Sequence, residues 1–291
     1  TAISFSEKAL DILRNHWPER DERETKVKRL IALIHREMGR TYRYQWSDYL
    51  ADHRWQEAWK KTLLNAYYML EGDDGTLARF VEIGEDQKLT KDYVEALIES
   101  GCTYRELARL LKMVSGLGSD ISLEDFFKDK LDVFKDVDKL AEERLLRAAG
   151  IKSPGEAWGD QVCAYVDEVM SGDAYLPALA LVSLGFHYTY QNKAHDRIEE
   201  IGSIIKCIVP EEYHLPDAGI HKDEAQLLLW SILGRVEMLG FYDALRNWDD
   251  LSDKDREQVV SERAVQHAVF ALQYNHIMGR ASFNLRRAEE G

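Results

Sequence analysis

From Tyr175 to Tyr190 the sequence reads YLPALALVSLGFHYTY, which is apolar on every side of a helix. Its least polar stretch, Ala178 to Phe186, leads straight into His187 and falls well short of the ~20 apolar residues that span a bilayer. A helix of this kind over residues 174–192 must be wrapped by other elements, so it is expected at the centre of a core. The rest of the chain supplies such elements. Trp55, Trp59, Leu63, Ala66, Tyr67 and Leu70 recur at spacings of three and four, as do Ala225, Leu228, Leu229, Ile232, Val236 and Leu239. Ala264, Val265, Ala268, Leu272 and Ile277 repeat the pattern near the end of the sequence.

Helix punctuation recurs between these stripes, and strand signals are nearly absent. Gly72 is placed to close the helix that starts near Asp52. Thr90 reads as an N-cap for a helix stopping at Gly101, and Thr103 with Glu106 reads as a capping box for a short helix to Gly116. Ser122 is expected to open a longer helix ending near Gly150. Ser153-Pro154-Gly155-Glu156 combines a cap, a first-turn proline and a capping-box glutamate. Pro210 should end the charged helix AHDRIEEIGSIIKCI, and Ser252 should begin the last helix. The expectation is an all-α array of about ten helices with no sheet. With only five prolines and no low-complexity tract, an N-terminal helical subdomain over 1–150 and a C-terminal one over 151–291 are expected to pack into one body.

Apolar residues make up 45% of the chain and charged residues 31%, enough to bury a sizeable core under a charged surface. The formal net charge of −14 disfavours general DNA or RNA binding, which needs a cationic footprint to displace counterions. The opening TAISFSEKAL lacks the features of a secretory signal, and no segment reads as membrane-spanning, so a cytoplasmic protein is expected. Cys102, Cys163 and Cys207 are widely separated, contain no CxxC pair, and read as thiols in a reducing compartment.

Few motifs point to chemistry. Asp249-Asp250-Leu251-Ser252-Asp253 matches the DDxxD arrangement by which class I isoprenoid enzymes hold Mg²⁺ against a diphosphate, since carboxylates one turn apart offer hard oxygen ligands on one face. Asp73-Asp74 is only a broken second cluster, and Ser252 as an N-cap would lay the motif across a turn. A Mg²⁺-dependent isoprenoid enzyme using Asp249, Asp250 and Asp253 is therefore the alternative reading; no metal site or cofactor is expected in the main one. Glu211 and His214 form an isolated ExxH between Pro210 and Pro216, His187 reads as a core or interface histidine, and His195-Asp196 lacks companions. Arg29 with His35 fits a loose helical-ribonuclease spacing. ALIESGCTYRELARLLKMV resembles a helix-turn-helix but carries few cations, so a plain helix hairpin is expected. No GxSxG, GxxxxGK[ST] or GxGxxG pattern occurs.

Charge is distributed unevenly. Nine acidic and four basic residues lie between Asp120 and Glu143, and six acidic and three basic between Asp243 and Glu257. Arg14 to Arg43 holds nine basic and five acidic residues. The acidic stretches are candidate docking faces for a basic protein, because complementary potential speeds encounter and excludes wrong partners. Asp120, Glu124, Asp125, Asp129, Asp132, Asp136, Asp249, Asp250 and Asp253 are the candidate contacts, with no catalytic residue expected.

The succession YLPALALVSLGFHY, AHDRIEEIGSIIK and WSILGRVEMLG, with Asp223-Glu224 through Trp230, resembles the helical bacterial immunity proteins that neutralise polymorphic nuclease effectors, a family of paired domains of unknown function. The resemblance implies a non-catalytic role in which an acidic surface covers the basic groove of a nuclease toxin.

Overall fold

The computed structural model describes residues 2–16, 22–51, 54–116, 122–191, 195–209, 224–244 and 252–259, together with 269 and 271. Its regular structure is helical, with no strand among the described residues, as the periodicity predicts. Two compact units divide the chain, Thr1–Ala148 and Ala149–Gly291.

The first unit is built on α1 (Ala2–His16) and the long α2 (Glu22–Ala51), followed by α3 (Trp55–Ala58), α4 (Leu63–Glu71), α5 (Thr76–Glu82) and α6 (Glu85–Lys88). Helix α7 (Lys91–Ser115) then packs along α9 (Val137–Ala148), with α8 (Leu123–Phe127) and a 3-10 segment (Lys128–Phe134) between them in the chain. The stripe from Trp55 to Leu70 is not one helix: α3 and α4 are separated at Trp59–Thr62, and Gly72 caps the second, its N–H donating to the Tyr68 carbonyl. The break turns Trp59 inward. Its ring stacks on Phe126 at 6.0 Å and meets Phe127 and Phe134 edge-on at 5.4 and 5.8 Å.

Thr90 caps α7 as predicted, its hydroxyl accepting from the Tyr93 N–H at 3.4 Å. The predicted stop at Gly101 does not occur. The helix runs through it to Ser115, so the hairpin expected over this segment is one continuous helix. Gly101 is needed for contact rather than for termination: a Cβ there would lie 2.7 Å from Leu145 Cγ of α9. Thr103 is correspondingly no cap, since its hydroxyl donates back to the Glu99 carbonyl at 2.9 Å inside the helix.

The single helix expected from Ser122 to near Gly150 is three pieces. Phe127 and Phe134 are both drawn into the aromatic cluster around Trp59, and the chain takes positive φ at Lys128 and Asp136 (50° and 54°) to allow it. Gly150, at φ 82°, ends the α9 region. A Cβ there would meet the Tyr165 ring at 2.2 Å, so glycine is required for both reasons.

The second unit contains α10 (Trp158–Glu168), α11 (Tyr175–Gln191), α12 (His195–Ile208), α13 (Glu224–Ala244) and α14 (Asp253–Val259). Helix α11 is buried along most of its length and packs against α12 and α13, the central position its composition demands. Gly185 lets α13 approach closely, a Cβ there falling 2.6 Å from Leu239 Cδ1. Ser153-Pro154-Gly155-Glu156 forms a turn closed by Glu156 N–H donating to the Ser153 carbonyl at 3.1 Å. Helix α10 starts later, after Ala157, because the Gln161 side chain takes the Lys152 and Ser153 N–H groups at 2.9 and 3.0 Å. Most of the last predicted helix lies outside the described residues.

Candidate functional site

Five cations of the N-terminal stretch, Lys28, Arg29, Arg36, Arg40 and Arg43, are paired with acids of the same unit. Lys28 pairs with Glu24 at 2.7 Å and with Glu82 at 2.5 Å, while Arg29 reaches Glu85 at 3.1 Å and Asp92 at 2.6 Å. Arg36 meets Asp92 and Glu95 at 3.2 and 2.8 Å, and Arg40 meets Glu99 at 2.8 Å. Arg43 donates to the same Glu99 at 2.6 Å, deep between α2 and α7. Burial opposes ionisation of Glu99, but the charges and hydrogen bonds of Arg43 and Arg40 outweigh it and hold the carboxyl below its ordinary range. Positions 29, 36, 40 and 43 share one face of α2, and 92, 95 and 99 share one face of α7. Two stripes of opposite sign thus neutralise each other.

The acidic segment that follows α7 is arranged differently. Ser122 accepts from the Asp125 N–H at 2.9 Å and donates to the Asp125 carboxylate at 2.6 Å, starting α8. Phe126, Phe127 and Phe134 then fasten the segment to Trp59. Glu124, Asp125, Asp132 and Asp136 are left exposed. Asp132 pairs with Lys135 at 2.6 Å, and that hydrogen bond holds its carboxyl below the usual value. Replacing Ser122 by Ala should cost about 1 kcal/mol of local stability. The check is faster amide exchange at Asp125 and Phe126 with α7 unchanged.

Of the remaining candidates, Asp253 is exposed in the first turn of α14. Asp120, Asp249 and Asp250 lie outside the described residues. So does the Asp129 side chain, although its backbone belongs to the 3-10 segment. Ser252 caps α14 by accepting from the Asp255 N–H at 3.3 Å, so Asp253 begins a helix there. Among the described residues, no three His, Cys, Asp or Glu side chains gather to hold a metal ion.

The minor motifs resolve similarly. Arg29 is engaged in its ion pairs, whereas His35 is buried, so they share no exposed face. His187 is buried in α11. Glu211 and His214 lie outside the described residues, as do the side chains of His195 and Asp196. No helix of the described residues is long and apolar enough to cross a membrane.

Two groupings have no local signature in the sequence. In the first unit Glu71 accepts from Arg144 Nε and Nη2 at 2.8 and 3.0 Å and also takes the Ser100 hydroxyl, joining α4, α7 and α9. In the second unit Cys163 of α10 and Cys207 of α12 lie near each other. The sulfurs are far apart in the chain, and only the helical register brings them together. Comparison with protein-family models, with curated proteins and with solved structures finds no match for the chain.

Proposed function

We propose that the chain is a non-catalytic protein-binding protein that covers a basic partner, with a bacterial immunity role against a nuclease-type toxin as its specific form. One observation carries this reading. Lys28, Arg29, Arg36, Arg40 and Arg43 are paired with acids of the same unit, while Glu124, Asp125, Asp132 and Asp136 stand exposed on a segment fastened by its own aromatic side chains. A pre-ordered acidic face loses little freedom on docking, and its potential steers a cationic partner toward it. Asp253 on α14 adds a further exposed acid in the second unit.

The test begins with capture of the partner from the native strain. Its association rate with the purified chain should fall by roughly tenfold or more when ionic strength is raised from low to several times physiological, because exposed charges are screened beyond ~8–10 Å. Reversing Glu124, Asp125, Asp132 and Asp136 to Lys should slow association to a similar extent while leaving the thermal midpoint within a few degrees. An on-rate indifferent to salt would defeat the electrostatic reading. The isoprenoid-enzyme alternative predicts Mg²⁺-dependent diphosphate release that Asp253→Ala abolishes. It draws less support, since Asp253 opens a separately capped helix.

A further inference from the structure

Helices α10 and α12 run side by side in the same direction. The Trp158 N–H donates to Glu200 Oε1 at 3.4 Å, and the Arg197 guanidinium lies over the Trp158 ring at 4.3 Å. At the next residue of α10 a Cβ on Gly159 would meet Ile204 Cγ1, one turn beyond Glu200, at 3.9 Å, so the backbone of α10 comes close to α12 there. The next step along both helices, four residues from Gly159 and three from Ile204, sets Cys163 beside Cys207. Cys207 is exposed, Cys163 is half-buried, and neither is in a disulfide.

We propose that Cys163 and Cys207 are an oxidation site, a facing dithiol that takes hydrogen peroxide as co-reactant and closes to a disulfide between α10 and α12. Cys207 is the sulfur a peroxide reaches first. Its thiolate attacks one peroxide oxygen, the O–O bond breaks, and the departing hydroxide takes a proton to leave as water, giving a sulfenic acid. The Cys163 sulfur then attacks Cys207 Sγ. The S–O bond breaks, the S–S bond forms, and a second water leaves with the Cys163 proton. The two sulfurs give up one electron each and the two peroxide oxygens gain one each, so the step balances. Burial, the neighbouring Cys207 and the carboxylates of Asp167 and Asp160 hold the Cys163 thiol above its ordinary value, which suits the second role rather than the first. The link would bracket the whole of α11, the buried centre of the unit, and does not depend on any partner.

The experiment treats the full chain with hydrogen peroxide, alkylates the remaining thiols and maps them by mass spectrometry. Cys102, buried in the first unit, is the internal control. The expected result is joint loss of Cys163 and Cys207 as one cross-linked peptide pair, retention of Cys102, and recovery of both thiols with dithiothreitol. In Cys163→Ser, Cys207 should react at a rate within about twofold of the parent but stop at a sulfenic acid that dimedone captures. In Cys207→Ser, loss of Cys163 should slow at least tenfold. Oxidised Cys207 beside an alkylatable Cys163 in the parent chain, a Cys207-linked dimer, or equal loss of all three thiols would overturn the assignment.

Discussion

Glu99→Gln should lower the stability of the first unit by about 3–5 kcal/mol, because it leaves the Arg43 guanidinium in the interior without a counter-charge. The neutral amide keeps the shape of the side chain, so the loss is electrostatic rather than a cavity effect. Arg40 retains Glu37 at 3.2 Å and Glu95 at 3.7 Å, and Arg43 has no such alternative in the ladder. Urea denaturation followed by α-helical signal gives the number. A double variant, Arg43→Met with Glu99→Leu, should recover most of the loss, since removing both charges also removes their desolvation.

The same pair sets an acid response. Glu99 titrates below its ordinary value of 4.5 in the folded chain, so the unfolded state takes up its proton first as pH falls. Its contribution is complete above pH 4.5 and is lost as pH drops through the lower folded value. The stability gap between the parent chain and Glu99→Gln should therefore narrow on acidification. A gap that stays constant down to the acid transition would show that the carboxylate charge is not what stabilises the pair.

Trp59→Ala should have a comparable effect, about 3–5 kcal/mol, by opening a cavity among Phe126, Phe127 and Phe134. It also has a functional consequence that Glu99→Gln lacks. Without the indole, residues 122–134 lose what fastens them, so hydrogen exchange at Phe126 to Phe134 should accelerate well beyond the change in α7. Association with a basic partner should weaken alongside it. Trp59→Phe, which keeps an aromatic face, should show a fraction of both effects.

Helix boundaries were readable where they depend on local chemistry and misread where they depend on neighbours. Thr90 and Ser252 cap helices because a hydroxyl meets an amide within the same turn, and the composition of α11 determines its burial. Gly101 looked like a terminator because the sequence does not reveal that Leu145 needs the space. The break after Phe127 likewise answers to Trp59, more than sixty residues earlier. The charge pattern was legible as composition and misleading as topology. Arg29, Arg36, Arg40 and Arg43 are spaced as one helical face, as are Asp92, Glu95 and Glu99, and pairing the two stripes would have marked these four arginines as neutralised within the unit. The exposed acids of 122–136 were identifiable from the local excess of charge, while the meeting of Cys163 and Cys207 required the register of two helices.

The fit of Leu145 into the space above Gly101 binds two distant positions to a common history. A descendant of this sequence that acquires a side chain at 101 must shrink residue 145 or tilt one helix against the other, and a glycine kept at 101 permits a large aliphatic at 145. Paired substitution at these sites is thus an inheritable trace of the α7–α9 junction, detectable even in kin whose surfaces have diverged completely.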